Sequence, residues 1–199
     1  VPAPNEDDVK PVLEPYSDII VSIMRRAWAD WLESGYAPTW EFARARANFI
    51  SAQMAFYARQ AFEDEPGIYI VEKDETLKFL AGDRVLFRLK KGDEVGLTAN
   101  IPTQQVLAYH DHDQNMFGMP EVQRVDAVYI LNTLETDIHD ILIVARDGTQ
   151  LAWTYSLLDG AEGVAALPLP QDSPPDAAPG RRLVRAKAHE KDAEAKPRK

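Results

Sequence analysis

The run Gly67-Ile68-Tyr69-Ile70-Val71, then Thr76-Leu77-Lys78-Phe79-Leu80, then Val85-Leu86-Phe87-Arg88-Leu89-Lys90 decides the fold. Here the apolar residues gather into short stretches, and Val85, Phe87 and Leu89 share one face, the two-residue period of a strand. Gly82-Asp83, between the second and third stretches, reads as a turn. Upstream the period is helical; downstream it is not.

Upstream, Ile19/Ile23/Ala27/Trp31 and Ile20/Met24/Trp28/Leu32 recur at helical spacing. They predict a helix capped by Ser17 or Asp18 and stopped by Gly35. A second helix is predicted from just after Pro38-Thr39 to Phe62. Trp40, Ala43, Ala47, Ile50, Met54, Tyr57 and Ala61 form one stripe of it, and Phe42, Phe49 and Phe56 a second. Two stripes imply burial on more than one side. Residues 1–15 contain four prolines and read as an extended, acidic leader, the opposite of a secretory one.

Downstream, strands are expected at 122–131, 138–145 and 150–158, the last two joined through Arg146-Asp147-Gly148-Thr149, where Asp-Gly is a hairpin signal. Helices first and strands after give an α+β fold: two N-terminal helices followed by an antiparallel β-sheet. One domain is expected over residues 16–158. Residues 91–121 form a long loop with a short helix at 103–108. From 159 to 199 the composition turns to Ala, Pro, Asp and Lys, which offers little apolar burial to offset the entropy of ordering, so a flexible tail is expected.

The net charge of −10 is unevenly spread. Residues 181–199 hold eight Lys/Arg against three Asp/Glu, a local +5, so the rest carries −15. An acidic body repels phosphate, which leaves nucleic-acid contact to the tail. There are no cysteines, which excludes disulfides and thiolate chemistry and agrees with a reducing cytoplasm. No apolar run reaches the roughly 18 residues of a membrane span, so no membrane partner is expected.

Chemistry-bearing patterns are few. His110-Asp111-His112-Asp113 alternates imidazole and carboxylate as a zinc or manganese site would, but the other histidines are His139, beside a strand, and His189, in the tail. Asp137-Ile138-His139-Asp140 reads as strand-edge polarity, and Lys90-Lys91-Gly92-Asp93 as a charged turn. Arg25 and Arg26 with Arg44 and Arg46 form a small basic face whose usual fate is solvation or pairing. Nucleophile-elbow, phosphate-loop and zincin signatures are missing. No catalytic residues and no cofactor are assigned.

Asp113-Gln114-Asn115-Met116-Phe117-Gly118-Met119-Pro120 is different. It puts Met116 and Phe117 side by side in a polar loop, where they fill either this protein's core or a groove on another protein. The segment resembles the short ligands of the bacterial DNA polymerase sliding clamp, Gln-Leu-(Ser/Asp)-Leu-Phe. Met116 stands for Leu and Phe117 is retained, while Asp113 replaces the leading Gln and Gln114 falls one place late. Gln53-Met54-Ala55-Phe56-Tyr57 keeps the Gln but lies within the second predicted helix, where a cleft ligand must be extended; Gln53, Phe56 and Tyr57 are the alternative contacts.

Over residues 84–158 the pattern Phe87-Arg88-Leu89-Lys90-Lys91, Ile101-Pro102-Thr103-Gln104-Gln105 and the motif resembles the SocB type of toxin. That resemblance implies a non-enzymatic inhibitor in a toxin–antitoxin module. It would occupy the sliding clamp through Asp113, Gln114, Met116 and Phe117, block replication elongation, and be delivered by an antitoxin adaptor to a ClpXP-type protease. Two other readings stay open: a nucleic-acid-associated regulator acting through the basic tail, and a metal-dependent hydrolase or nuclease at His110 and His112.

Overall fold

A computed structural model describes residues 3–73, 76–98, 109 and 122–159. Its elements are α1 (Glu6–Leu13), α2 (Ser17–Glu33), α3 (Ala43–Phe62), β1 (Ile68–Lys73), β2 (Thr76–Ala81), β3 (Val85–Lys91), β4 (Gln123–Leu131), β5 (Ile138–Asp147) and β6 (Gln150–Ser156), with a 3₁₀ turn at Glu14–Tyr16. The architecture is α+β, helices first and then one six-stranded sheet in the order β1-β2-β3-β4-β5-β6.

The expected extended leader is instead largely helical. Asn5 accepts the Asp7 amide at 3.1 Å as N-cap, and Glu6, Asp7 and Asp8 sit in the first turn, where the helix dipole favours negative charge. Val9 and Leu13, one turn apart, are fully buried. The leader is also tied to the sheet: the Asn5 amide donates to Gln123 Oε1 at 2.9 Å, and the Trp153 indole N–H donates to the Pro4 carbonyl. Neither Ser17 nor Asp18 caps α2, because the 3₁₀ turn runs straight into it and its first amides already have helical partners. Ser17 Oγ donates back to the Leu13 carbonyl at 3.4 Å. Ser34, one residue before Gly35, ends α2; its amide bonds to Asp30 and its hydroxyl to Trp31 O at 2.6 Å.

α3 begins at Ala43, after a run of turns, and packs along one face only. Ile50, Met54, Ala58 and Phe62 are buried, whereas Phe42 and Phe56 of the expected second stripe are 76% and 51% exposed. At its C-terminal end Phe62 meets Phe79 and Phe87, with ring centroids 5.1 and 6.1 Å apart, and so fixes the helix to β2 and β3.

The six strands fall where the sequence places them, but one pairing departs from an all-antiparallel sheet. β3 and β4 are parallel, Val85 facing Gln123 and Lys91 facing Tyr129. A parallel pair needs a long connection to bring the chain back, and residues 92–122 provide it. The turn into β3 has positive φ at both Gly82 and Asp83, as a type I′ hairpin requires. Val85, Phe87, Leu89, Val125, Ala127, Tyr129, Ile141, Ile143 and Ala145 form the face shared with the helices in the main core. Among the described residues no helix is long and apolar enough to cross a membrane.

Candidate functional site

The second face of the sheet carries the buried charge. Arg88, Arg124 and Asp126 are 4%, 2% and 0% exposed. Arg88 and Asp126 stand opposite each other in the parallel ladder and form a two-point ion pair, Nε to Oδ1 and NH2 to Oδ2, the latter at 3.3 Å. Burial alone would lower the Arg88 pKa, but the Asp126 charge and hydrogen bond outweigh it and the net shift is upward.

Tyr109, from the connection between β3 and β4, lies on this face. Its hydroxyl reaches the Leu86 carbonyl at 3.0 Å and the Val125 carbonyl at 2.8 Å, so one phenol touches both strands of the parallel pair. The Arg88 guanidinium lies 4.0 Å from the ring centroid, and Arg124 donates to the Tyr109 carbonyl at 3.4 Å. Burial first, and then the Asp126 charge, pushes the phenol pKa far up, so it stays a neutral donor. Leu80, Leu86 and Tyr109 form a small second cluster, against which Val71 and Val122 pack.

The expected motif residues Asp113, Gln114, Met116 and Phe117 lie outside the described residues, as do His110, His112, the short helix at 103–108 and the tail. What is described is where the chain departs and returns: Tyr109 and Val122 join the same cluster, and the Gln123 amide bonds to Arg84 O at 2.8 Å. The alternative segment is placed. Gln53, Phe56 and Tyr57 are in the middle of α3 with helical backbone, and Tyr57 is engaged internally. Its hydroxyl donates to Asp30 Oδ2 at 2.6 Å, which raises its pKa, and Arg26 stacks 4.2 Å from its ring.

The expected basic face is dispersed: Arg26 stacks on Tyr57, Arg46 pairs with Glu135, and Arg44 lines a cleft. Asp140 accepts its neighbour's amide and Ser156 Oγ, each at 2.7 Å, a local role in the strand edge. Among the described residues no group of three His, Cys, Asp or Glu could hold a metal ion.

Two features were not read from the sequence. One is an aromatic cluster at the α2–α3 connection, where Tyr36 stacks on Trp40 at 4.7 Å and Trp40 meets Trp31 at 5.8 Å; Phe42, two residues further along the chain, is exposed. The other is a cleft of about 920 Å³ between the first half of α3 and the C-terminal ends of β3 and β4. At its rim Glu135, with φ +52, accepts from Lys91 and from Arg46, and those bonds lower its pKa from the ordinary carboxylate value. The Lys-Lys pair, expected as a charged turn, instead ends β3 and was the available signal, but Glu135, which Lys91 meets, comes from the β4–β5 turn, and Arg46, which shares it, from α3.

Compared with known proteins, the chain matches no family model, no curated protein and no solved structure.

Proposed function

We propose that the protein is a non-enzymatic interaction protein that binds the bacterial DNA polymerase sliding clamp through residues 113–117. It would act as the toxin of a toxin–antitoxin module, blocking replication elongation and leaving through an adaptor and a ClpXP-type protease. The resemblance at Met116 and Phe117 supplies the partner. The observation that supports the reading is the anchorage of the residues on either side of the motif: Tyr109 belongs to the second cluster and Val122 packs against it, so both flanks are held at one place. Fixing both ends of a binding loop lowers the entropy lost on docking. The exposed aromatic side chains of Tyr36, Trp40 and Phe42 support the broader class, since aromatic side chains are enriched at protein contacts.

Burial of Met116 and Phe117 in a cleft is worth about 1.5–3 kcal/mol each, enough for a micromolar ligand once ordering costs are small. Competition against a fluorescent clamp-ligand peptide tests the reading. Phe117→Ala is expected to weaken displacement by about ten-fold or more, and Phe56→Ala to leave it unchanged. Displacement equal in Phe117→Ala and the parent, with matching circular dichroism, overturns it.

A further inference from the structure

We propose that the cleft between α3 and the ends of β3 and β4 binds an uncharged ring compound bearing a carbonyl or ring-nitrogen acceptor, and that the Tyr129 hydroxyl donates to that acceptor. The proposal does not depend on residues 113–117 and goes beyond the clamp reading. At about 920 Å³ the cleft falls within the ~300–1,000 Å³ typical of small-molecule sites.

Tyr129 is 1% exposed, stands with Ala127 and Leu131 on the helix-covered face of β4, and lines the cleft. Among the described residues no hydrogen bond reaches its hydroxyl. A buried tyrosine usually finds a partner for that group. Tyr16, Tyr57 and Tyr109 each donate theirs to an oxygen. Tyr155 lacks a partner as well, but it is no part of this lining. The charges that act on the Tyr129 phenol are those of Arg46 and Glu135, so the hydroxyl looks toward the end of the cleft where Glu135 stands. Burial first, with Arg46 opposing and Glu135 adding, raises its pKa and keeps it a neutral donor.

The rest of the lining selects the kind of ligand. Ala43, Ala47 and Met54 of α3 and Leu131 of β4 supply apolar surface beside the Tyr129 ring, and the small helix residues leave width for a flat ring. The charges around it cancel: Arg44, Arg46 and Lys91 stand against Asp93, Glu94 and Glu135. Arg46 and Lys91 share Glu135, and Asp93 Oδ1 accepts the Val95 amide at 3.0 Å and the Leu97 amide at 2.8 Å. Lys90 borders the cleft, but its side chain alternates to the other face of the sheet, where Arg88 and Asp126 are its neighbours. Neither an anion nor a cation therefore meets an excess of opposite charge here. A neutral acceptor on an apolar ring does find a match, because it satisfies a buried donor whose isolation is costly.

Titration of the full chain with acetophenone, ethylbenzene and benzoate, followed by amide chemical shifts, tests this. The three share a benzene ring and carry a neutral acceptor, no acceptor and a charge. Acetophenone is expected to bind about five-fold more tightly than either of the others, the worth of one hydrogen bond. Tyr129→Phe keeps the ring and is expected to remove the margin over ethylbenzene while ethylbenzene itself binds as before, which a loss of fold would not allow. Ser51→Trp, at an exposed position of the lining, is expected to obstruct the cleft and weaken all three while the circular dichroism spectrum stays unchanged. Ethylbenzene or benzoate binding as tightly as acetophenone, a margin that survives Tyr129→Phe, undiminished binding by folded Ser51→Trp, or no saturation by millimolar acetophenone would each overturn the proposal.

Discussion

Arg88 and Asp126 face each other across the parallel β3–β4 pair, and both are shut away from water on the side of the sheet that the helices do not cover. A buried pair of this kind adds little net stability compared with a well-packed apolar pair, yet breaking it from one side strands a charge. Asp126→Ala is therefore expected to destabilise the protein by about 3–5 kcal/mol. The double change Arg88→Met with Asp126→Leu removes both charges and is expected to lose markedly less. Urea unfolding midpoints measure both; a double variant as unstable as Asp126→Ala would show that the pair is not the source of the loss.

Tyr109 joins the same two strands through its hydroxyl, which meets the Leu86 and Val125 carbonyls. Tyr109→Phe keeps the ring against Leu80 and Leu86 and deletes only the donor. The loss is expected to be about 1–2 kcal/mol, from buried carbonyls deprived of a partner. Under the proposed clamp reading, a hydroxyl that also holds the flank of the motif would make this variant displace clamp-ligand peptide less well although residues 113–117 are intact. Unfolding free energy and peptide displacement, measured together, separate the two effects.

The strands were legible because their signals are local: Val85, Phe87 and Leu89 alternate onto one face, and Asp147-Gly148 makes its own turn. The parallel pairing of β3 with β4 was not, because it depends on the path of residues 92–122 and not on either strand. Helix α1 was hidden by four prolines, though Asn5-Glu6-Asp7-Asp8 is an N-cap followed by an acidic first turn. Pro15 fits there as well, near the start of a helical turn. Phe42 and Phe56 misled in the other direction, since a helical stripe of aromatics is buried only if a neighbour covers it. Lys90, Lys91 and Glu135 were visible only as charges. The cleft combines them with residues of α3 far away in sequence, and no local pattern encodes that meeting.

Gly82 couples the β2–β3 turn to α1. Its φ is +56, and a Cβ there would lie 3.3 Å from Val12 Cγ1. Gly82→Ala is expected to cost about 1 kcal/mol from the left-handed backbone alone, with the Val12 contact adding to it. Asp83 also has φ +56, so Asp83→Gly removes strain at the next residue and is expected to be neutral or mildly stabilising. Thermal midpoints of the two variants should move in opposite directions or leave Asp83→Gly at the parent value. A drop of equal size in both would refute the backbone argument.

Glu135 gives the fold an acid-sensitive contact. Its pKa is lowered first by the Lys91 hydrogen bond and then by that of Arg46, while burial opposes them. A carboxyl whose folded pKa lies below its unfolded one stabilises above the unfolded value, about 4.3, and that contribution fades as pH falls through the folded value. The side chain is 44% exposed, so solvent screening limits the effect to under about 1 kcal/mol. Glu135→Gln preserves the length of the side chain and removes the charge. It is expected to be slightly less stable than the parent at neutral pH, with the difference shrinking in acid as pH falls through the folded value. Glu72, held down by Arg59, titrates in the same direction on the exposed edge, so the comparison must be between variant and parent and not between pH values alone. Urea midpoints at neutral and acid pH read the result, and a gap that persists unchanged in acid would mean that Glu135 acts through packing or backbone strain instead of charge.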